Sequence, residues 1–182
     1  YQTFGSHPGQ KWFYNRQNVN QYLGFQSYRF LENYFAPYLT LEGAVRDSDS
    51  FLTGVDLEQL KAHLPNGPCF SFSVTYQNHG PYSAEAPEGE VCLTPAGTGL
   101  SQADCNILNN YLDGLSRTIS AFTNLSQELE KLEEPIVLVL FGDHKPWAGN
   151  SGSVYYDMGL SFDLSTRDGF YDYYSTPYLI WA

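Results

Sequence analysis

Pro135-Ile-Val-Leu-Val-Leu-Phe-Gly-Asp-His144 decides how this chain is read. The six apolar residues 136–141 favour a strand, and Pro135 and Gly142 punctuate its two ends. A run that is apolar at every position, rather than at alternate ones, predicts a strand buried in a parallel sheet. Asp143 and His144 then fall at the strand's carboxyl end, the edge where open α/β sheets bind ligands. A carboxylate oxygen beside an imidazole nitrogen is half of a ligand set for Zn²⁺ or Mn²⁺.

A second segment has the same grammar. Cys69-Phe-Ser-Phe-Ser-Val-Thr75 is rich in aromatic and β-branched residues and leads into Tyr76-Gln-Asn-His-Gly-Pro-Tyr82, a turn marked by Gly80 and Pro81. If both strands lie parallel in one sheet, His79 emerges at the same edge as Asp143 and His144. His7 sits in another Gly/Pro segment, Phe4-Gly-Ser-His-Pro-Gly9, with Arg16 nine residues on. Residues 4–10 read as a loop. His63 lies in the helical pattern Asp56–Leu64 and reads as a surface residue.

The composition narrows the function classes. The chain has 182 residues, 42% of them hydrophobic, enough for one domain with its own core. Twenty acidic residues against nine basic give a net charge of −11. Such a surface repels polyphosphate backbones and argues against nucleic-acid binding. An anionic ligand must then be held by local positive charge, from a metal or from Arg16. No apolar run reaches the roughly 20 residues that span a bilayer, and the opening residues lack a signal-peptide pattern. Cys92 and Cys105 flank a Gly/Thr/Pro-rich loop that a disulfide could close, but three cysteines without C-x-x-C spacing argue against a zinc ribbon.

Along the chain, helix is expected from about residue 11 to 22, over 54–64, and from Ser101 to Glu133. Ser101-Gln-Ala-Asp104 is a capping-box-like start with Asp in place of Glu. The apolar stripe over residues 107–132 is core packing rather than a cofactor box. Residues 83–100 read as a long polar loop, and Pro177–Trp181 as a last short strand. Asp157, Asp163, Asp168 and Asp172 are spaced too irregularly for an EF-hand and read as solvated loop. Strand, helix, strand implies an α/β fold: a mostly parallel sheet with helices on both faces.

Three motifs in order carry a resemblance. His7-Pro-Gly-Gln-Lys-Trp-Phe-Tyr-Asn-Arg16 with Tyr22-Leu-Gly-Phe25, then Val74-Thr-Tyr-Gln-Asn-His-Gly-Pro-Tyr82, then Phe141-Gly-Asp-His144 resemble the extracellular catalytic domain of the lipoteichoic acid synthase family. Those enzymes are metal-dependent phosphoglycerol transferases of the sulfatase and alkaline phosphatase superfamily. The resemblance covers nearly the whole chain, but residues 83–100 and 145–170 match none of its motifs. It implies that Asp143 and His144 bind one divalent metal, Mn²⁺ by preference with Zn²⁺ or Mg²⁺ as alternatives. It also implies that His7, Tyr14, Arg16 and His79 surround the phosphoglycerol group.

Other readings exist for each residue. Asp143-His144 could be a capped turn, His79 a turn residue bonded to backbone, Arg16 a surface ion pair, and Tyr14 a core residue.

The family's Thr nucleophile and the Glu completing its metal set lie upstream of the first block, so both are expected upstream of Tyr1. Thr3 is too close to His7 to be that nucleophile. Residues 1–182 are therefore expected to be the middle and rear of the catalytic domain, truncated at both ends and inactive alone. An exposed sheet edge that favours self-association is expected with it.

The function implied is phosphoglycerol transfer, or sulfatase-like hydrolysis, on phosphodiester or sulfate-ester headgroups of lipids or polymers in the cell envelope. The alternative is a catalytically silent anion- or glycan-binding remnant of the same fold. The location implied is the extracellular face of the membrane or the secreted space, and a membrane-anchored parent protein is compatible with it.

Overall fold

The computed structural model describes residues 1–38 and 48–182. They form two compact units, one of residues 1–77 with 117–132 and one of 78–116 with 133–182.

The first unit is built on a three-stranded parallel sheet of order β2-β1-β3, with β1 Gln2–Ser6, β2 Ser27–Arg29 and β3 Cys69–Ser73. The central strand β1 takes the place of the loop expected to begin at residue 4. Its sequence, Gln-Thr-Phe-Gly-Ser, holds one large apolar residue and a glycine that resembles turn punctuation. Gly5 is there for space: a Cβ would overlap the Phe72 carbonyl oxygen and the Tyr28 ring. Phe4 is fully buried and stacks on His63 with ring centroids 4.4 Å apart. His63, whose Nδ1 also donates to the Gln59 carbonyl at 2.7 Å, is a packing residue rather than a surface one.

Helix α1, Arg16–Tyr22, begins later than expected. Ahead of it lies a short 3-10 turn, Phe13–Asn15, in which Tyr14 and Asn15 have φ of 54° and 55°. Helix α2, Asp49–His63, begins earlier, because Ser48 caps it by accepting the Phe51 N–H at 3.4 Å. Leu52, Val55 and Gln59, at helical spacing, form its buried face, and Leu52 and Val55 pack with Phe35. Pro65 and Gly67, at a φ of 115° that favours glycine, end the helical region before β3.

In the second unit, β4 Leu138–Phe141 pairs antiparallel with β5 Tyr178–Trp181, in the register Val139 to Ile180. This corrects the reading of 136–141 as a buried parallel strand. The described strands fall into two sheets, so β3 and β4 are not members of one. Val139 and Phe141 are about half exposed, and among the described residues β4 has one ladder neighbour. The mostly parallel α/β class holds, with parallel pairing confined to the first unit.

Helix α4, Gln102–Glu130, is divided between the units after Ser116. It starts as expected: Ser101 Oγ accepts the Asp104 N–H at 3.1 Å and donates to the Asp104 carboxylate at 2.5 Å. Its asparagines organise the polar segment 83–93. Buried Asn109 accepts from the Cys92 and Leu93 amides at 3.0 and 2.9 Å and donates to the Leu93 carbonyl at 2.8 Å. Asn106 donates to the Ala84 carbonyl, and Asn110 to those of Ser83 and Glu85. One helical turn, α3 Pro95–Thr98, interrupts the stretch. Cys69, Cys92 and Cys105 are all free, so no disulfide closes it.

The segment 145–174 adds α5 Ser153–Asp157 and α6 Arg167–Tyr174, with Ala148 and Val154 packed on Ile107. No described helix is long and apolar enough to cross a membrane.

Candidate functional site

His7 follows β1 directly, at the carboxyl edge of the parallel sheet. It is 2% exposed, and its Nδ1 lies 3.0 Å from the Val74 carbonyl oxygen just beyond β3. A carbonyl only accepts, so Nδ1 carries the proton and Nε2 presents a lone pair. Burial lowers the His7 pKa, the Val74 hydrogen bond opposes that shift, and the Arg16 charge adds to it. His7 is thus a neutral acceptor at Nε2. The ring edge rests on Gly9, where a Cβ would overlap Nε2.

At the other end of the same strand, Tyr1 immediately precedes β1 and is 88% exposed, remote in sequence from the edge that carries His7. The expectation of a nucleophile upstream of Tyr1 concerns no described residue. Tyr1 itself is a solvent-facing strand flank and is given no part in the site.

Arg16, the first residue of α1, is half-buried. Its guanidinium lies 5.5 Å from the Phe13 ring centroid and 5.0 Å from that of Tyr14, and Nη1 donates to the Phe13 carbonyl at 3.3 Å. The aromatic faces hold the cation without neutralising it, which leaves its fork for an anion. Tyr14 is 75% exposed and so is not a core residue. The two adjacent left-handed residues, Tyr14 and Asn15, cost about 1–3 kcal/mol each for non-glycine side chains. Strain of this kind clusters at ligand sites.

In the second unit, His79, Asp143 and His144 come together. The His79 and His144 rings are edge to face with centroids 6.0 Å apart. Each ring donates from Nδ1 to a neighbouring main-chain carbonyl, His79 to Gly80 at 2.8 Å and His144 to Lys145 at 2.8 Å. Both therefore offer Nε2. The His144 Nε2 stands 3.5 Å from Asp143 Oδ2, while Asp143 Oδ1 accepts the His144 N–H at 2.9 Å. An Asp oxygen and a His nitrogen are donor types that divalent metals take, but among the described residues no group of three or more His, Cys, Asp or Glu could hold a metal ion.

The turn that presents His79 is tied to α4. Asn78 Nδ2 donates to the Tyr111 carbonyl at 3.4 Å, and its amide lies where a Gly114 Cβ would be. Tyr82 Oη donates to the Asn78 carbonyl at 2.7 Å.

Sequence reasoning passed over a polar cluster under the first sheet: Ser6, Arg29, Asp56, Gln59 and Ser73. Asp56 accepts from the hydroxyls of Ser6 and Ser73, and burial, opposed by those bonds and by the Arg29 charge, pushes its pKa up to about 6. Its only signal in the sequence is an acidic residue three positions before Gln59, on the inward face of α2.

The match that decides the family spans the whole chain: residues 1–182 fit the model described as Sulfatase. The chain belongs to the sulfatase family. Two solved structures of low identity share its fold. Over 99% of the chain it superposes on the lipoteichoic acid synthase LtaP of Listeria monocytogenes with a TM-score of 0.67 at 19% identity. It also superposes on the Streptococcus pyogenes phosphoglycerol transferase GacH, solved with sn-glycerol-1-phosphate, with a TM-score of 0.65 at 22% identity. The chain covers 43% of each of those chains. It is 30% identical over 178 residues to a Rhizobium meliloti protein provisionally described as a cyclic beta-1,2-glucan modification protein, and spans 27% of it. This sulfatase-family domain thus resembles phosphoglycerol transferases, as its ordered motifs imply.

Proposed function

We propose that the protein carrying this chain is a metal-dependent phosphoglycerol transferase of the cell envelope, acting outside the membrane, with a glucan as the acceptor. The observation that carries the reading is the juxtaposition of Asp143 Oδ2 and His144 Nε2 at 3.5 Å beside His79. The Arg16 guanidinium, held over the Phe13 and Tyr14 rings, supports it. The descriptions of GacH and of the Rhizobium meliloti relative favour phosphoglycerol and a glucan over a sulfate ester.

In this reading Arg16 forks onto the phosphate oxygens of the donor headgroup. His7 accepts a hydrogen bond from a glycerol hydroxyl at Nε2, and Tyr14 covers the glycerol carbons. Asp143 and His144 would hold the metal, by preference Mn²⁺, whose charge would stabilise an anionic group. His79 hydrogen-bonds the transferring group or relays a proton at Nε2. The phosphoglycerol leaves its donor oxygen, which takes up a proton, and ends on an acceptor hydroxyl, which gives one up. No residue of this chain, from Tyr1 onward, is assigned as the nucleophile.

Calorimetric titration of the full-length protein with sn-glycerol 1-phosphate tests the anion site. Binding that weakens at least tenfold in Arg16→Ala, about 1.4 kcal/mol, is expected. Equal affinity of the two proteins, or preference for inorganic sulfate, would contradict the reading.

A further inference from the structure

Helix α2 packs on β1 and β3 and brings Asp56 and Gln59 to their carboxyl ends. Ser6 and Ser73 are cross-strand partners at those ends. Both donate their hydroxyl hydrogens to the Asp56 carboxylate. Asp56 Oδ1 is buried without a hydrogen-bond partner.

The lone pairs of the two hydroxyls are also used. Gln59 Nε2 donates to Ser6 Oγ at 2.7 Å, and the Ser6 N–H donates to Ser73 Oγ at 3.1 Å. One residue further along each strand, the Val74 N–H donates to the Ser6 carbonyl at 2.9 Å, and His7 Nδ1 meets the Val74 carbonyl. The remaining charged and titratable groups that act on this carboxylate come from β2: the Arg29 guanidinium and the Tyr28 hydroxyl.

Burying a carboxylate with one unpaired oxygen is costly. What the carboxylate supplies is geometry. We propose that Asp56 is a positioning residue that clamps the ends of β1 and β3 through Ser6 and Ser73, so that His7 holds one tautomer with Nε2 directed out of the fold's hydrogen-bond network. Its importance for binding rests on the role given to His7 above; the clamp itself does not.

The test is ¹⁵N-imidazole NMR of the full-length protein, with the His7 signals assigned by their loss in His7→Asn. Wild type is expected to show one neutral tautomer, protonated at Nδ1. Ser73→Ala and Asp56→Ala, each checked for a cooperative thermal transition, are expected to show mixed tautomers and a His7 pKa moved toward 6.5. Asp56→Asn, which keeps an acceptor oxygen in the same place, is expected to restore most of the wild-type pattern.

A folded Ser73→Ala whose His7 signals match wild type would overturn the proposal, and this smaller change decides the matter if Asp56→Ala does not fold. Affinity for sn-glycerol 1-phosphate separates the two claims. A shifted tautomer with about tenfold weaker binding supports both. A shifted tautomer with unchanged binding upholds the clamp and removes His7 from the phosphate site.

Discussion

His7 Nδ1 and the Val74 carbonyl oxygen, 3.0 Å apart, join the carboxyl ends of β1 and β3 through a side chain. This bond makes His7 part of the sheet and leaves one nitrogen over. Residue type, burial and tautomer all follow from a position one residue past a central strand.

The neutral state of His7 has a consequence for stability. Its folded pKa lies below the ordinary 6.5. Above that value the group is neutral in both states and costs nothing; below it the unfolded chain takes up the proton first. Stability is therefore lost as pH falls through 6.5 toward the folded pKa. Urea unfolding should show wild type losing more stability than His7→Asn between about pH 7.5 and pH 5. A constant difference would contradict the buried neutral imidazole.

Asp56 works in the opposite direction. Its folded pKa of about 6 exceeds the ordinary 3.8, so the folded state holds the proton longer. Its contribution falls as pH rises from 3.8 to about 6 and then stays level. Relative to wild type, Asp56→Asn should gain about 3 kcal/mol across that window. The gain should be read from paired urea curves, since Asn also alters the bonds to Ser6 and Ser73. No change with pH would mean that the carboxylate is not desolvated.

Much of the second unit's candidate site was legible before its fold was known. Asp143, His144 and His79 were marked by glycine and proline turns after apolar runs, and the structure sets them side by side. The strand reading of 136–141 was right in kind and wrong in partner: an all-apolar run signals a buried strand only when both faces are covered, and among the described residues β4 has only β5 beside it. β1 escaped notice because its burial comes from neighbouring strands and from the space left by Gly5. The Asp56 cluster was hidden for a related reason. Serines at strand ends and one acidic residue in a helix look like surface until the register pairs Ser6 with Ser73.

Gly9 should be intolerant of a side chain. A Cβ there would overlap His7 Nε2, so Gly9→Ala must displace the ring or the loop, at a cost of about 1–3 kcal/mol. Thermal melts should show the loss, and binding of sn-glycerol 1-phosphate should weaken with it. A variant as stable as wild type with full affinity would show that Nε2 is not directed as described.

Gly114 gives a sharper case, because propensity predicts the reverse. Glycine within a helix costs about 1 kcal/mol relative to alanine, so Gly114→Ala should stabilise α4. The Asn78 amide occupies the place of the new Cβ. The variant is expected to be destabilised instead, with the His79 imidazole signals shifted. A rise in melting temperature with unchanged His79 signals would refute the anchoring of the turn by Asn78.

Metal binding depends on Asp143 in this account. Titration of Mn²⁺ into the full-length protein should give a binding isotherm that Asp143→Ala abolishes. His144→Ala should weaken it strongly, since it removes the nitrogen 3.5 Å from Asp143 Oδ2. Unchanged affinity in Asp143→Ala would remove the pair from the metal site.

The most direct test of the central claim is a transfer assay on the full-length protein. It is supplied with Mn²⁺, phosphatidylglycerol as donor and cyclic β-1,2-glucan as acceptor, and the glucan is read by mass spectrometry. The account predicts glucan carrying phosphoglycerol in wild type and none in Asp143→Ala. Unmodified glucan from folded, metal-loaded wild type, or equal modification by Asp143→Ala, would contradict it.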